Sequence, residues 1–224
     1  AGISVAKKLL DSDLKVVMLE SGGMVPESEY QQLNEGENSG PSFLSLDSSR
    51  LRCFGGASGL WAGVCSPFLS DDFDKKSFLP LSGWPISIDD LKVYYIEAAE
   101  MLGISYEKFY NKRFFQDTIN GISFKQFDRK NSFLTGNVFQ ISNSKNRDFG
   151  AKYKNEFESS QNIDVLFHST VTQLNLNTEG SEVESVSIAD LLGNKATVKA
   201  NQFVLACGAL ENPRILLASN KFYE

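Results

Sequence analysis

The sequence predicts an α/β fold with an α+β insert, and three observations carry that expectation. The apolar run Lys15-Val-Val-Met-Leu19 follows a short helical pattern and ends on an acid, Glu20, like the second half of a β-turn-α-β unit with a buried parallel strand. Residues 163–199 form short β-patterned runs broken by turn residues, which predicts an antiparallel meander. A second apolar run, Gln202-Phe-Val-Leu-Ala206, passes through Cys207-Gly-Ala into a helical pattern, as at a strand-to-helix junction of an α/β unit.

Each element follows from local composition. Ile3, Ala6, Leu9 and Leu10 share one helical face, and Asp11-Ser-Asp13 ends that helix. Residues 24–49 are polar and turn-rich, which predicts a long surface excursion or a lid. Ser82-Gly-Trp-Pro85 is a turn. Ser87 with Asp90 three residues on is an approximate capping box for a helix over 88–102, stopped by Gly103. Its apolar face is expected to carry Leu91, Tyr94, Tyr95, Ala98 and Leu102. Residues 104–146 are rich in Phe and Asn and too weakly periodic to assign. An amphipathic helix is expected over 148–157, then strands over 163–167, 170–176, 183–189 and 195–199, with Leu192-Gly-Asn194 as a turn. Gln202–Ala206 is expected to be a last buried strand. Asn212 would cap the helix after it, with Pro213 at the first helical position.

Two stretches point to a ligand. Arg50-Leu-Arg-Cys-Phe-Gly-Gly-Ala-Ser-Gly-Leu-Trp-Ala-Gly63 has a glycine content that disfavours both helix and strand, so it suits close approach of the backbone to something bound. Phe54 and Trp61 argue against a merely solvated loop. Gly2 and Glu20 are 18 positions apart, near the spacing between the last glycine of a dinucleotide fingerprint and the acid that accepts ribose hydroxyls of an ADP moiety. A generic α/β pair with an unrelated glutamate is the alternative.

The net charge of −6 provides no basic footprint for nucleic acid. Three cysteines without regular spacing make neither a disulfide framework nor a metal site and suit a reducing compartment. His168 is the single histidine and is expected to be a hydrogen-bonded structural residue. No apolar run reaches the length of a membrane span. The chain does not begin with Met and starts inside a helical pattern, so its true beginning is expected upstream.

The helix–strand–Glu20-Ser-Gly-Gly23 segment, the Arg50…Gly55-Gly-Ala-Ser…Trp61 loop and Val204-Leu-Ala-Cys-Gly-Ala-Leu-Glu-Asn-Pro-Arg214 together resemble the glucose-methanol-choline (GMC) family of FAD-dependent oxidoreductases. Ser82-Gly-Trp-Pro-Ile86 and its Tyr-Tyr helix are similar to the bacterial sugar-dehydrogenase and pyranose-oxidase-like branch. The resemblance covers most of the chain and is weakest over 104–146. It implies a Rossmann-like FAD-binding domain with an antiparallel β meander, in two parts over 1–70 and 151–224. The insert over 71–150 would begin a substrate or cap domain. It also implies truncation at both ends, with the first strand and first glycines missing, and a fragment that alone is poorly soluble, inactive and a weak binder of FAD.

Carried over residue by residue, the resemblance implies that Gly2 packs the helix facing the FAD pyrophosphate. Glu20 would hold the adenosine ribose, and Ser21, Gly22 and Gly23 would line the adenine side. Arg50 and Arg52 match basic residues before the paired glycines. Gly55, Gly56 and Ser58 would contact the pyrophosphate and ribityl region, and Trp61 and Gly63 the isoalloxazine. Val171 matches a position whose backbone contacts adenine. Cys207, Gly208, Ala209 and Asn212 match the second FAD signature. Leu60 stands where some relatives carry a flavin-linked histidine, so the FAD is expected to be non-covalent; Ala62 departs from a common glycine.

The implied chemistry is oxidation of a CH–OH group of an alcohol, sugar or polyol by hydride transfer to flavin. No catalytic residue is assigned, because the family's acid–base pair would fall beyond Glu224. The electron acceptor is open and a cytoplasmic location is expected. A nicotinamide-dependent dehydrogenase and a non-catalytic dinucleotide-binding module remain the alternatives.

Overall fold

The computed structural model describes residues 1–41, 44–109 and 139–220; most of the stretch left unassigned above lies outside them. In chain order the elements are α1 (Gly2–Lys8), β1 (Val16–Leu19), α2 (Ser28–Gln31), β2 (Val64–Cys65), α3 (Ile88–Leu102), β3 (Gln140–Ile141) and α4 (Ser144–Arg147). After these come α5 (Phe149–Glu158), β4 (Ile163–Leu166), β5 (Thr170–Leu176), β6 (Val183–Ala189), β7 (Lys195–Lys199) and α6 (Glu211–Ser219). The fold is mixed helix and sheet, compatible with the expected α/β class. Contacts divide it into two compact units, Ala1–Leu60 with Asp148–Glu224, and Trp61–Arg147.

In the first unit α1 buries Ile3 and Ala6, the face its spacing predicts. β1 pairs in parallel with β4, from Val16↔Ile163 to Leu19↔Leu166, so a strand near the start of the chain is joined to one far along it. The meander is present: β5, β6 and β7 form an antiparallel sheet in that order. Leu174 and Val186 on that sheet and Ile215 on α6 are its buried core, and Leu19, Val171, Phe203 and Leu205 pack against it. Ser219 fixes α6 to β5, because its hydroxyl donates to Ile215 O at 2.6 Å and accepts from Leu174 N at 2.9 Å.

Phe54 packs edge-on against Phe157 of α5 (5.6 Å between centroids) and Phe167 (6.1 Å), a favoured geometry for aromatic pairs. A Cβ on Gly55 or on Gly150 would overlap the other segment's backbone, so the two glycines let loop and helix close on each other.

Within the first unit the structure departs from the sequence expectations at four places. Residues 202–206 form no ladder among the described residues. Phe203 and Leu205 are held by the core while Val204 is 68% exposed; an apolar run supplies burial, but a strand also needs a neighbour to pair with. β1 is not buried on both faces, since Val17 is 46% exposed in a sheet of two strands. Residues 24–49 are more than a surface excursion. Ser28–Asn34 is helical, with Tyr30 and Asn34 buried. Finally, α6 starts at Glu211 after the N-cap Leu210, so Asn212 and Pro213 both lie inside its first turn.

In the second unit α3 has the expected ends. Ser87 and Asp90 form the capping box, and Gly103 terminates it at φ 65°. Its less exposed side runs through Ile88, Leu91, Tyr95, Ala99 and Leu102, while Tyr94 and Ala98 face outward. That corrected stripe keeps the three- and four-residue steps of a helix. β2 and β3 pair antiparallel.

Ile215 is 3% exposed between the meander and α6. Ile215→Ala is expected to lower the unfolding free energy by about 3 kcal/mol, from lost burial plus the cavity left behind; urea unfolding of the two proteins measures it.

Candidate functional site

Glu20 lies at the carboxyl end of β1, where parallel α/β sheets bind their ligands. Its backbone is pinned on both sides, with N donating to Leu166 O and O accepting from Ser169 N, each at 2.9 Å. Its side chain curls onto the loop it begins, since Oε1 accepts from Gly22 N at 2.9 Å. Burial pushes the carboxyl up to about 7, against the opposing influence of the Gly22 N–H, the Arg52 charge and the Ser21 N–H. The carboxyl acts purely as an acceptor once ionised, and donates a hydrogen bond when protonated.

The loop after Glu20 is built by contact with residues 52–54. Gly23 bridges Cys53 in parallel, and Phe54 N donates to Gly23 O at 2.9 Å. A Cβ on Gly22 would overlap the carbonyl of Arg52, so only glycine admits this approach. Ser21 Oγ lies 2.7 Å from Thr170 Oγ1 and accepts from Arg52 Nη1 at 3.1 Å. Arg52 Nη2 donates to Leu33 O at 3.1 Å, and Arg52 Nε is buried without a hydrogen-bond partner among the described residues.

The third stretch joins at α6. Asn212 Oδ1 accepts from Cys207 N at 2.8 Å, and its Nδ2 donates to Leu205 O at 3.3 Å. The residue expected as an N-cap therefore clamps the approach to its own helix. Gly208 takes φ +94°, and a Cβ there would meet nothing within 4 Å, so its glycine answers a backbone need and leaves the space beside it open. The Cys207 thiol is pushed up by burial first, and the charges of Glu211, Glu20 and Arg52 all act on it. Arg52 links the two segments: it donates to Ser21 Oγ beside Glu20, and its Nη2 lies 3.5 Å from Glu211 at the start of α6.

Other residues singled out above are used by the chain itself. Ser58 Oγ donates to Gly55 O at 2.7 Å and accepts from Phe149 N at 3.1 Å. Gly56 takes φ 54°. A Cβ on Gly2 would sit 3.6 Å from Ala206 Cβ, an ordinary contact. Val171 pairs with Ile188 in the meander and packs on its core. Arg50 donates through Nε to Leu46 O at 2.7 Å, through Nη2 to Asn34 O at 2.5 Å and through Nη1 to Glu211.

Trp61 and Gly63 belong to the second unit. There Trp61 Nε1 donates to Arg147 O at 3.2 Å, and Gly63 at φ +78° packs under Ser142. His168 is hydrogen-bonded, one part of what its sequence setting predicts. Its Nε2 pairs with Glu27 Oε2 at 2.9 Å and its ring stacks on Tyr30.

Sequence reasoning passed over Glu211, Arg214 and Thr170. The acid–Asn-Pro–Arg spacing in Glu211–Arg214 was a visible signal for an i,i+3 ion pair. Thr170 had no signal beyond its strand. Among the described residues no group of His, Cys, Asp and Glu could hold a metal ion, and no helix is long and apolar enough to cross a membrane. No protein-family model matches the chain, and no curated protein is significantly similar to it.

Glu20 makes stability depend on pH. Its folded value, about 7, lies above the ordinary glutamate value of 4.5, so the folded chain holds a proton that the unfolded chain releases. Its contribution is full below about pH 4.5 and is lost as pH rises to about 7. The loss is on the order of 3 kcal/mol. Urea unfolding at a series of pH values is expected to show this decline in the native chain, and Glu20→Gln is expected to flatten it.

Proposed function

We propose that this chain binds the ADP portion of FAD in a Rossmann-like setting and serves a flavin-dependent oxidoreductase acting on the CH–OH group of an alcohol, sugar or polyol. The observation that carries the reading is the convergence of Glu20, Arg52 and the Cys207–Glu211 turn at the carboxyl end of a parallel strand. These three stretches were singled out separately in the sequence.

The residues fit the ADP half of such a cofactor. The Glu20 carboxyl, when ionised, can accept hydroxyl hydrogen bonds, the buried Arg52 Nε lacks an acceptor among the described residues, and Gly208 leaves open space at the turn into α6. Glu20 would hold the ribose, Ser21 to Gly23 would flank the adenine, and Arg52 would supply positive charge for the anionic part. A flavin, when bound, would supply the redox chemistry for oxidation of the CH–OH group. This chain's own residues bind and orient; none of them is proposed as the base. The absence of a histidine beside Trp61, where Leu60 stands, favours a non-covalent cofactor.

A second reading has a specific observation behind it. Glu20 and Arg52 address the ADP group, which FAD shares with nicotinamide dinucleotides. Gly55, Gly150 and Ser58 are occupied by packing within the chain and add less discrimination between the two than the sequence promises.

Equilibrium titration of the full-length protein with FAD, ADP and NAD separates them. FAD is expected to bind, ADP to compete with it, and NAD to bind far more weakly. Glu20→Gln is expected to weaken FAD and ADP about 10- to 100-fold, the range for hydrogen bonds to a charged group. Affinity for both is expected to rise as pH passes about 7, because the ionised carboxylate is the stronger acceptor. Preference for NAD would establish the second reading, and binding of none of the three would remove both.

A further inference from the structure

Glu211 stands at the first position of α6 with its side chain 11% exposed, and three guanidinium groups surround its carboxylate. Oε1 accepts from Arg50 Nη1 and lies 3.5 Å from Arg52 Nη2. Oε2 accepts from Arg214 Nε at 2.8 Å and lies 2.7 Å from Arg214 Nη2. Arg214 is a local partner one turn along the helix. Arg50 and Arg52 come from the glycine-rich stretch, far away in sequence, and their side chains are only 18% and 12% exposed.

Two arginines so covered need a counter-charge, because desolvation and mutual repulsion both oppose them. The charges on Arg52 show the balance: burial, Arg50 and Arg214 disfavour its cation, while Glu211 and Glu20 favour it. Arg52 in turn reaches Ser21, the residue after Glu20.

We propose that Glu211 is a positioning residue of the nucleotide site: it holds Arg52 against Ser21 and so ties the first turn of α6 to the carboxylate at the end of β1. Its functional meaning rests on the ADP-binding reading above; its structural content does not. Removing the negative charge leaves three cations without their common anion, and Arg52, repelled by Arg50 and Arg214, is then held only by its hydrogen bonds to Ser21 Oγ and Leu33 O. Glu20 then loses a favourable positive neighbour. The other groups that act on Glu20 are the Gly22 and Ser21 N–H groups, and the thiols of Cys53 and Cys207 both feel its charge. None of these depends on Glu211 for its position through a hydrogen bond.

The test is Glu211→Gln in the full-length protein, with two readouts. NMR titration of the Glu20 carboxyl without nucleotide is expected to show its midpoint raised by about half a unit or more, as loss of a nearby cation requires. FAD titration is expected to show affinity lowered about tenfold, the effect of one charged contact. A variant that is only less stable, with the Glu20 midpoint and FAD affinity both unchanged, overturns the proposal. A raised Glu20 midpoint in a protein that takes up neither FAD nor ADP supports the tie through Arg52 and removes the ADP reading instead. Should Glu211→Gln fail to fold, Arg50→Met/Glu211→Gln removes one cation together with the anion. Its Glu20 midpoint is expected above that of Arg50→Met, and equality of the two overturns the proposal.

Discussion

The parallel pairing of β1 with β4 is the constraint on which the rest of the first unit depends. Four residue pairs, Val16↔Ile163 to Leu19↔Leu166, join segments separated by the whole second unit. Once that register is set, Glu20 must emerge beside residues 167–170. Its backbone bonds to Leu166 and Ser169, the His168-to-Gly22 bond and the Ser21–Thr170 contact follow as one set. A parallel ladder between distant segments costs loop-closure entropy. The aromatic packing of Phe54 with Phe157 and Phe167, and the meander core on Ile215, are the apolar burial that offsets it.

Around that frame the charges are arranged in opposition. Glu20 is a partly buried acid whose carboxyl is pushed up to about 7 by desolvation, and Glu211 is a buried acid pulled below its ordinary value by arginines despite its burial. Two glutamates of one chain therefore take opposite protonation preferences, and Arg52 stands in the field of both. The glycines nearby serve the same geometry. Gly22 is required because the Arg52 carbonyl fills its Cβ direction, whereas Gly208 is required by its backbone angle and leaves space open.

Periodicity alone made several elements legible. The capping box at Ser87 and Asp90, the stop at Gly103, the α5 helix, the meander and the strand before Glu20 were all readable, because each is decided by neighbours within a few residues. The faces of α3 were read one position out at Tyr94 and Ala98, since bulk and apolarity do not by themselves say which side finds a partner. Residues 202–206 were apolar enough for a strand yet remain unpaired among the described residues, and Ser28–Asn34 was polar enough for a loop yet is helical.

By itself the sequence determined the local elements and the character of three stretches: Glu20 with its glycines, the Arg50–Gly63 run and Cys207–Arg214. Only the tertiary structure decided that the first, part of the second and the last of these meet. It also decided that Ser58 and Gly55 serve internal packing, and that Glu211 is the carboxylate among three arginines. The physical reason is distance. A cap or a turn is written in adjacent residues, but the counter-charge of Arg50 lies more than half the chain away, and only the fold can supply it.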